Sequence, residues 1–198
     1  MGLYPDNIIL TATDSYRLTE KKIKLNDNKN NNERKIIIPV KTLNEISRIL
    51  GIFKENISLA DVENIEIYVS ENQIMFSYNG IDLVSRLIEG QYPDYTQIIP
   101  ASYKTLAKLN IKDLIKVVKT SSLFTKSGIN DVKIELNSTN KEITITSSSS
   151  QTGENISTIE SEITGEDNNM VLNYRYLLDG LQNISSNNVV LEINNSNN

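Results

Sequence analysis

The sequence predicts an α+β fold of repeated units, antiparallel sheets with helices on one face, and three observations carry this prediction. Two amphipathic helical patterns, one opening at Pro39-Val40 and one at Ile111, each stand ahead of strand-rich sequence. Asn79-Gly80 lies between two β-prone runs, a strong two-residue hairpin signal. The order of helix followed by antiparallel strands then occurs a second time along the chain.

Taken in order, Ile8 to Thr13 is an apolar, β-branched run of strand character, reached from Met1 to Asp6 with no earlier element to pair with. Asp14-Ser15 is a side-chain-capped turn, and Tyr16 and Leu18 alternate with Arg17 and Thr19 as a second strand begins. Two readings of this turn stand side by side: a hairpin around a buried Asp14 that accepts backbone hydrogen bonds, or one wall of a pocket. Asn26 to Asn32 is a polar loop before a strand at Arg34 to Ile38. The first helix runs to about Leu50 with Gly51 as its stop, placing Leu43, Ile46, Ile49 and Leu50 on one face and Lys41 and Arg48 on the other. Strands are expected at Glu63 to Val69, Gln73 to Tyr78 and Asp82 to Leu87.

Gln91 to Ala101 carries Pro93 and Pro100 without periodicity, so the domain linker is placed there, dividing the chain into residues 1–100 and 101–198. The second helix covers Ile111 to about Phe124, with Ile111, Leu114, Ile115 and Val118 on one face. Lys112, Lys116 and Lys119 follow at i, i+4, i+7 beside that face. By pattern alone they read as ordinary solvated lysines. Strands are expected at Asp131 to Leu136 and Glu142 to Ser147, with a longer one at Glu154 to Ile163. A third helix spans Tyr174 to Ile184 with Tyr174, Leu177, Leu178 and Leu181 inward, and a strand at Val189 to Ile193 follows.

Composition narrows the chemistry. With no Cys and no His, disulfides, thiol nucleophiles, histidine acid/base catalysis and thiolate or imidazole metal sites are excluded. The formal net charge of -5 argues against a surface that is basic all over, while leaving room for a basic stripe. The carboxylates of Asp14, Glu89 and Asp94 are scattered singly, with no Gly-rich phosphate loop beside them, so no catalytic residue and no cofactor is assigned. No apolar run approaches the roughly 18 residues of a membrane span and no export signal is visible, so a cytoplasmic protein is expected. The Asn-X-Ser/Thr matches at Asn56, Asn137, Asn155 and Asn183 read as chance in an Asn- and Ser-rich chain.

One ordered set of motifs goes further. Thr13-Asp14-Ser15-Tyr16-Arg17-Leu18, Ile36 to Pro39 before a helix, Ser85 to Gly90 with Tyr92-Pro93-Asp94-Tyr95, and Asn173 with Tyr176-Leu177-Leu178 together resemble the bacterial sliding clamp, the beta subunit of DNA polymerase III. The resemblance runs over nearly the whole chain. It implies DNA-clamp repeats with two helices per full domain lining one sheet face, and a non-catalytic processivity factor that encircles duplex DNA without reading sequence. It implies a peptide-binding cleft shaped by Thr13, Ser15, Tyr16, Arg17, Leu18, Pro93, Gln97, Ile98, Asn173 and Tyr176. Short linear motifs of the replicative polymerase, the clamp loader and repair proteins would dock there. Lys41, Arg48, Lys112, Lys116 and Lys119 become DNA-facing, and Leu123 and Phe124 match the apolar part of a head-to-tail homodimer seam.

The resemblance also makes the chain a fragment, with the later part of the middle domain in residues 1–100 and most of the C-terminal domain in residues 101–198. Gln97 stands where some members carry a basic residue, leaving the cleft rim less cationic. The competing readings are a peptide-binding scaffold that no longer encircles DNA and, further off, a metal-dependent phosphoryl hydrolase.

Overall fold

The computed structural model describes residues 1–25, 33–54 and 64–194, the side chain of Lys54 apart, so the predicted loop at Asn26 to Asn32 lies outside the described residues. The chain divides into two compact units, Met1–Asp94 and Tyr95–Asn198. No helix among the described residues is long and apolar enough to cross a membrane.

In the first unit, β1 (Gly2–Leu3), β2 (Asn7–Thr13), β3 (Leu18–Lys24) and β4 (Arg34–Lys35) form a sheet of order β3-β2-β1-β4. Gly2 and Leu3 thus supply the partner strand that the sequence reading denied to Ile8 to Thr13, pairing with both β2 and β4. After β4, Ile37 contributes only an isolated bridge to Ile88, so the strand expected to Ile38 is shorter. Helix α1 (Val40–Lys54) is followed by β5 (Glu66–Val69), β6 (Gln73–Tyr78) and β7 (Ile81–Arg86), a second sheet of order β5-β6-β7. The β6-β7 turn is the predicted Asn79-Gly80, with φ of 47° and 76°, the left-handed pair that a two-residue hairpin requires.

Gly51 does not stop α1. The helix continues to Lys54 because Phe53 reaches the core edge-on to Tyr78, ring centroids 5.6 Å apart. Its buried face is also rotated from the expected one. Thr42 is buried with Ile46 and Ile49, its hydroxyl 2.7 Å from that of Ser85, whereas Leu43 sits at the rim. A hydroxyl with a partner is as good an inward residue as leucine at this position. Ile36, Ile38, Ile46, Ile74 and Phe76 form the centre of the unit's core.

The second unit opens with a 3-10 turn at Tyr95–Gln97 and then β8 (Thr105–Asn110), a strand the sequence reading missed. Helix α2 (Ile111–Ser122), β9 (Asp131–Asn137), β10 (Glu142–Ser149) and β11 (Gly153–Glu160) follow. The single long strand expected over Glu154 to Ile163 is broken at Ser161. There the chain leaves one sheet and enters another as β12 (Glu162–Gly165). Ser161 is buried at this corner, its amide donating to the Lys141 carbonyl (2.9 Å) and its hydroxyl to that of Lys108 (3.2 Å).

A second missed strand, β13 (Asn168–Asn173), precedes α3 (Tyr174–Gln182) and β14 (Asn188–Ile193). The sheets have orders β11-β10-β9-β13 and β12-β8-β14. Both late helices end two residues short of the predicted positions. Leu114, Val118, Val132, Ile134, Ile143, Ile145 and Leu181 lie in the core between helices and sheets, while Tyr174, Leu177 and Leu178 are only partly buried against it.

Candidate functional site: a turn, a helix start and a cationic helix face

The predicted residues fall into local sets. In the first unit, Thr13 to Leu18 is one tightly bonded turn. Asp14 Oδ1 accepts from the amides of Tyr16 and Arg17, both at 3.1 Å, and Asp14 Oδ2 accepts from Arg17 Nε at 3.0 Å. Thr13 Oγ1 donates to the Arg17 carbonyl at 2.8 Å and accepts from the Ser15 amide at 3.2 Å. These bonds hold Ser15 at a φ of 74°, a left-handed geometry uncommon for a residue other than glycine.

Asp14 is not buried as the hairpin reading expected; its side chain is 46% exposed, and its hydrogen bonds shape the turn at the surface. The consequence is that Tyr16, at the tip, is 82% exposed. Leu18 begins β3 half-buried. Pro93 is exposed in the segment that ends the unit.

The Asp14 carboxyl is held below its ordinary value, first by the Tyr16 amide and also by Arg17. A lowered folded-state pKa means that its support for the turn is complete above the ordinary aspartate range and is lost as pH falls through the lowered value. The amide resonances of Tyr16 and Arg17 are therefore expected to move together on acidification. Their midpoint should fall below about 3.9, the usual aspartate pKa; a midpoint at or above it would contradict this account of the turn.

In the second unit, Ile98 follows the 3-10 turn, its amide donating to the Tyr95 carbonyl (3.0 Å), and is 72% exposed beside the exposed Gln97. Asn173 is the N-cap of α3, its Oδ1 accepting from the Arg175 amide at 2.9 Å. Tyr176 is half-buried on the first turn. Asn173 thus spends its carbonyl oxygen on the helix.

The cationic residues are divided less evenly than the sequence suggested. On α2, Asn110 caps the helix by accepting from the amides of Lys112 (2.9 Å) and Asp113 (3.4 Å). Ile111, Leu114, Val118 and Ser121 face inward, and Lys112, Lys116 and Lys119 are exposed on the other side. On α1, Lys41 is exposed, but Arg48 is held by Glu45 through two bonds of 3.1 and 2.6 Å. Glu45 keeps its carboxyl below the ordinary value through this same pair, and Arg48 is raised in turn. The sequence carried the signal, since Glu45 and Arg48 stand at i, i+3, but the reading overlooked it.

Leu123 closes α2 at 71% exposure, with the half-buried Phe124 next to it. The helix end is fixed from below. Ser121 Oγ donates to Asn155 Oδ1 at 3.0 Å, and Ser147 Oγ donates to the Ser121 carbonyl at 2.7 Å. No local pattern announces this network, because its members are 26 and 34 residues apart. No group of three or more acidic side chains among the described residues is placed to hold a metal ion.

Residues 2–94 match the family described as DNA polymerase III beta subunit, central domain, and residues 96–198 match its C-terminal domain. The beta sliding clamp of Staphylococcus epidermidis is 33% identical over 196 residues, covering 96% of this chain and 48% of that protein. That of Staphylococcus aureus is 29% identical over 192 residues, covering 94% and 47%. The chain spans about half the length of the curated relatives it matches.

The crystal structure of the DNA polymerase sliding clamp from Bacillus subtilis superimposes with a TM-score of 0.87 at 29% identity, over 98% of this chain and 49% of that one. The Pseudomonas aeruginosa beta subunit, at 19% identity and a TM-score of 0.86, shares the fold. Successive parts of the chain match successive domains of one family along nearly its full length, and the chain belongs to the DNA polymerase III beta subunit family, the bacterial sliding clamps.

Proposed function

We propose that this chain supplies the later part of the middle domain and most of the C-terminal domain of a sliding clamp. The complete clamp encircles duplex DNA as a head-to-tail dimer and holds the replicative polymerase at the primer end. The observation that carries this is the α2 surface, where three exposed lysines stand on the face opposite Ile111, Leu114 and Val118 in a chain of net charge -5.

Lysines facing phosphates attract without reading base edges, and such contacts weaken with salt. A few of them on an acidic body hold DNA loosely enough to slide, so enclosure rather than affinity retains the ring. Thr13 to Leu18, Pro93, Gln97, Ile98, Asn173 and Tyr176 form the cleft in this reading. Exposed Tyr16 and Ile98 are suited to anchoring the Leu and Phe of short linear motifs from the polymerase, clamp loader and repair proteins. The clamp performs no chemistry itself and takes no cofactor.

The experiment joins the chain to the part of the S. epidermidis clamp that precedes the matched region and loads the product on nicked circular DNA. Retention on the circle and loss after linearisation are expected. Equal loss from both forms would leave the competing reading, a peptide-binding scaffold without encirclement.

A further inference from the structure

The outward faces of the helices differ at one position. On α2 the exposed stripe at i, i+4 and i+7 reads Lys112, Lys116 and Lys119, with Leu123 at i+11 just past the helix end. On α1 the same spacing reads Lys41, Glu45, Arg48 and Ile52. Glu45 therefore stands where α2 carries its middle lysine.

Helix α3 follows the α1 pattern, with the exposed residues Arg175, Asp179 and Gln182 at that spacing. The two helices also hold the same place in their units, each between the last strand of a four-stranded sheet, β4 or β13, and the strand that comes next, β5 or β14. A cation followed one turn later by an acid thus occurs on both, whereas the polar part of the α2 stripe is lysine throughout.

On α1 the acid is engaged. Arg48 Nε donates to Glu45 Oε2 at 3.1 Å and Arg48 Nη2 donates to Glu45 Oε1 at 2.6 Å, a paired contact on a guanidinium edge that can also grip phosphate in bidentate fashion. The side chains are 62% and 43% exposed, so the pair contributes little to folding. Its effect on an approaching polyanion is larger. A phosphate meets an edge already filled and a carboxylate well within one Debye length, and the pair as a whole presents no net charge.

We propose that Glu45 restrains DNA contact by withholding Arg48 from phosphates, so that of the α1 stripe only Lys41 meets the duplex while the three α2 lysines make the firmer contact. This inference rests on the reading of these helix faces as DNA-facing. It gives the loose hold that sliding requires a cause in one residue: removing the carboxylate should strengthen the grip rather than weaken it.

The test titrates the isotopically labelled full chain with a short duplex DNA at low ionic strength, following the Arg48 Nε–Hε resonance and the amides of α1 and α2. In Glu45→Gln, DNA binding is expected to tighten about two- to fivefold and its logarithmic salt dependence to steepen by about 0.9, the increment of one more phosphate contact. The Arg48 resonance, unmoved by DNA in the parent chain, should shift in this variant. Arg48→Gln should then cost about twofold more, or greater, in the Glu45→Gln chain than in the parent. Unchanged Ile74 and Phe76 amides show that the core of the unit is intact in each variant. An Arg48 resonance that already shifts with DNA in the parent, a Glu45→Gln chain that binds no tighter, or an equal cost of Arg48→Gln in both backgrounds would overturn the proposal. The α2 amides separate the two readings. If Lys112, Lys116 and Lys119 respond to DNA while Glu45→Gln changes nothing, only the restraint fails; if they do not respond, the DNA-facing reading fails and the restraint with it.

Discussion

Replacing Lys112, Lys116 and Lys119 together by glutamate is expected to abolish retention of the completed clamp on circular DNA while leaving unit two folded. The three ammonium groups lie on the solvent side of α2, whose stability comes from Ile111, Leu114 and Val118 beneath and from the Asn110 cap. In the proposed function, reversal replaces attraction to phosphates by repulsion along two turns of helix. The logarithmic salt dependence of binding should lose about 0.9 for each phosphate contact removed. Lys119→Glu loses a favourable charge at the negative end of the helix dipole and Lys112→Glu gains one at the positive end, each about 0.3–1 kcal/mol, so the net effect on helix stability is small. The glutamine triple variant, which removes attraction without adding repulsion, should fall between wild type and the reversal. Retention that is unaffected by either set would show that α2 does not face DNA.

The second large effect is structural. Gly165→Ala is expected to destabilise unit two by about 3–5 kcal/mol. Gly165 ends β12 at a φ of 98°, and a Cβ there would stand 2.0 Å from the Lys104 carbonyl oxygen, a backbone atom held by the pairing of β12 with β8. The same turn is bonded to the buried Thr105, whose hydroxyl donates to the Glu166 carbonyl at 2.8 Å and accepts from Asn168 Nδ2 at 3.1 Å. The backbone has no simple way to retreat.

Gly180→Ala is the control. Gly180 lies within α3 with open space around its missing Cβ, and the replacement should stabilise by about 0.5–1 kcal/mol. Chemical denaturation of the two variants checks both signs. A cost below 1 kcal/mol at Gly165 would mean that the β12-β13 turn can rearrange.

The sequence reading succeeded where a signal is local. Ile111, Leu114 and Val118 mark α2 by their spacing, Asn79-Gly80 specifies its turn by backbone conformation, and Thr13 to Leu18 closes on itself through bonds spanning no more than four residues. It failed where distant partners decide. Thr105 to Asn110 is a short alternating run whose strand character depends on pairing with β12 and β14, and Asn168 to Asn173 is an Asn-rich stretch held by β9.

The same holds for single residues. Ser161 looks like an ordinary strand residue until Lys108 and Lys141 meet it at the corner. Thr42 displaces Leu43 from the buried face of α1 because Ser85 offers its hydroxyl a partner. For the candidate site, the turn at Asp14-Ser15 and the helix beginning at Tyr174 were legible, and the i, i+3 pair of Glu45 and Arg48 stood in the sequence unread, whereas the network anchoring the end of α2 became visible only in three dimensions.

The proposed function rests on one peptide engaging both the Thr13 to Leu18 turn and the start of α3. It is tested most directly by titrating isotopically labelled chain with a Gln-Leu-Ser-Leu-Phe peptide and following the amide spectrum. The account predicts that Tyr16 to Leu18 and Tyr176 to Leu178 shift along one saturation curve, and that Leu18→Asp or Tyr176→Ala removes both sets of shifts. Shifts confined to one set, or saturation unchanged in either variant, would contradict it.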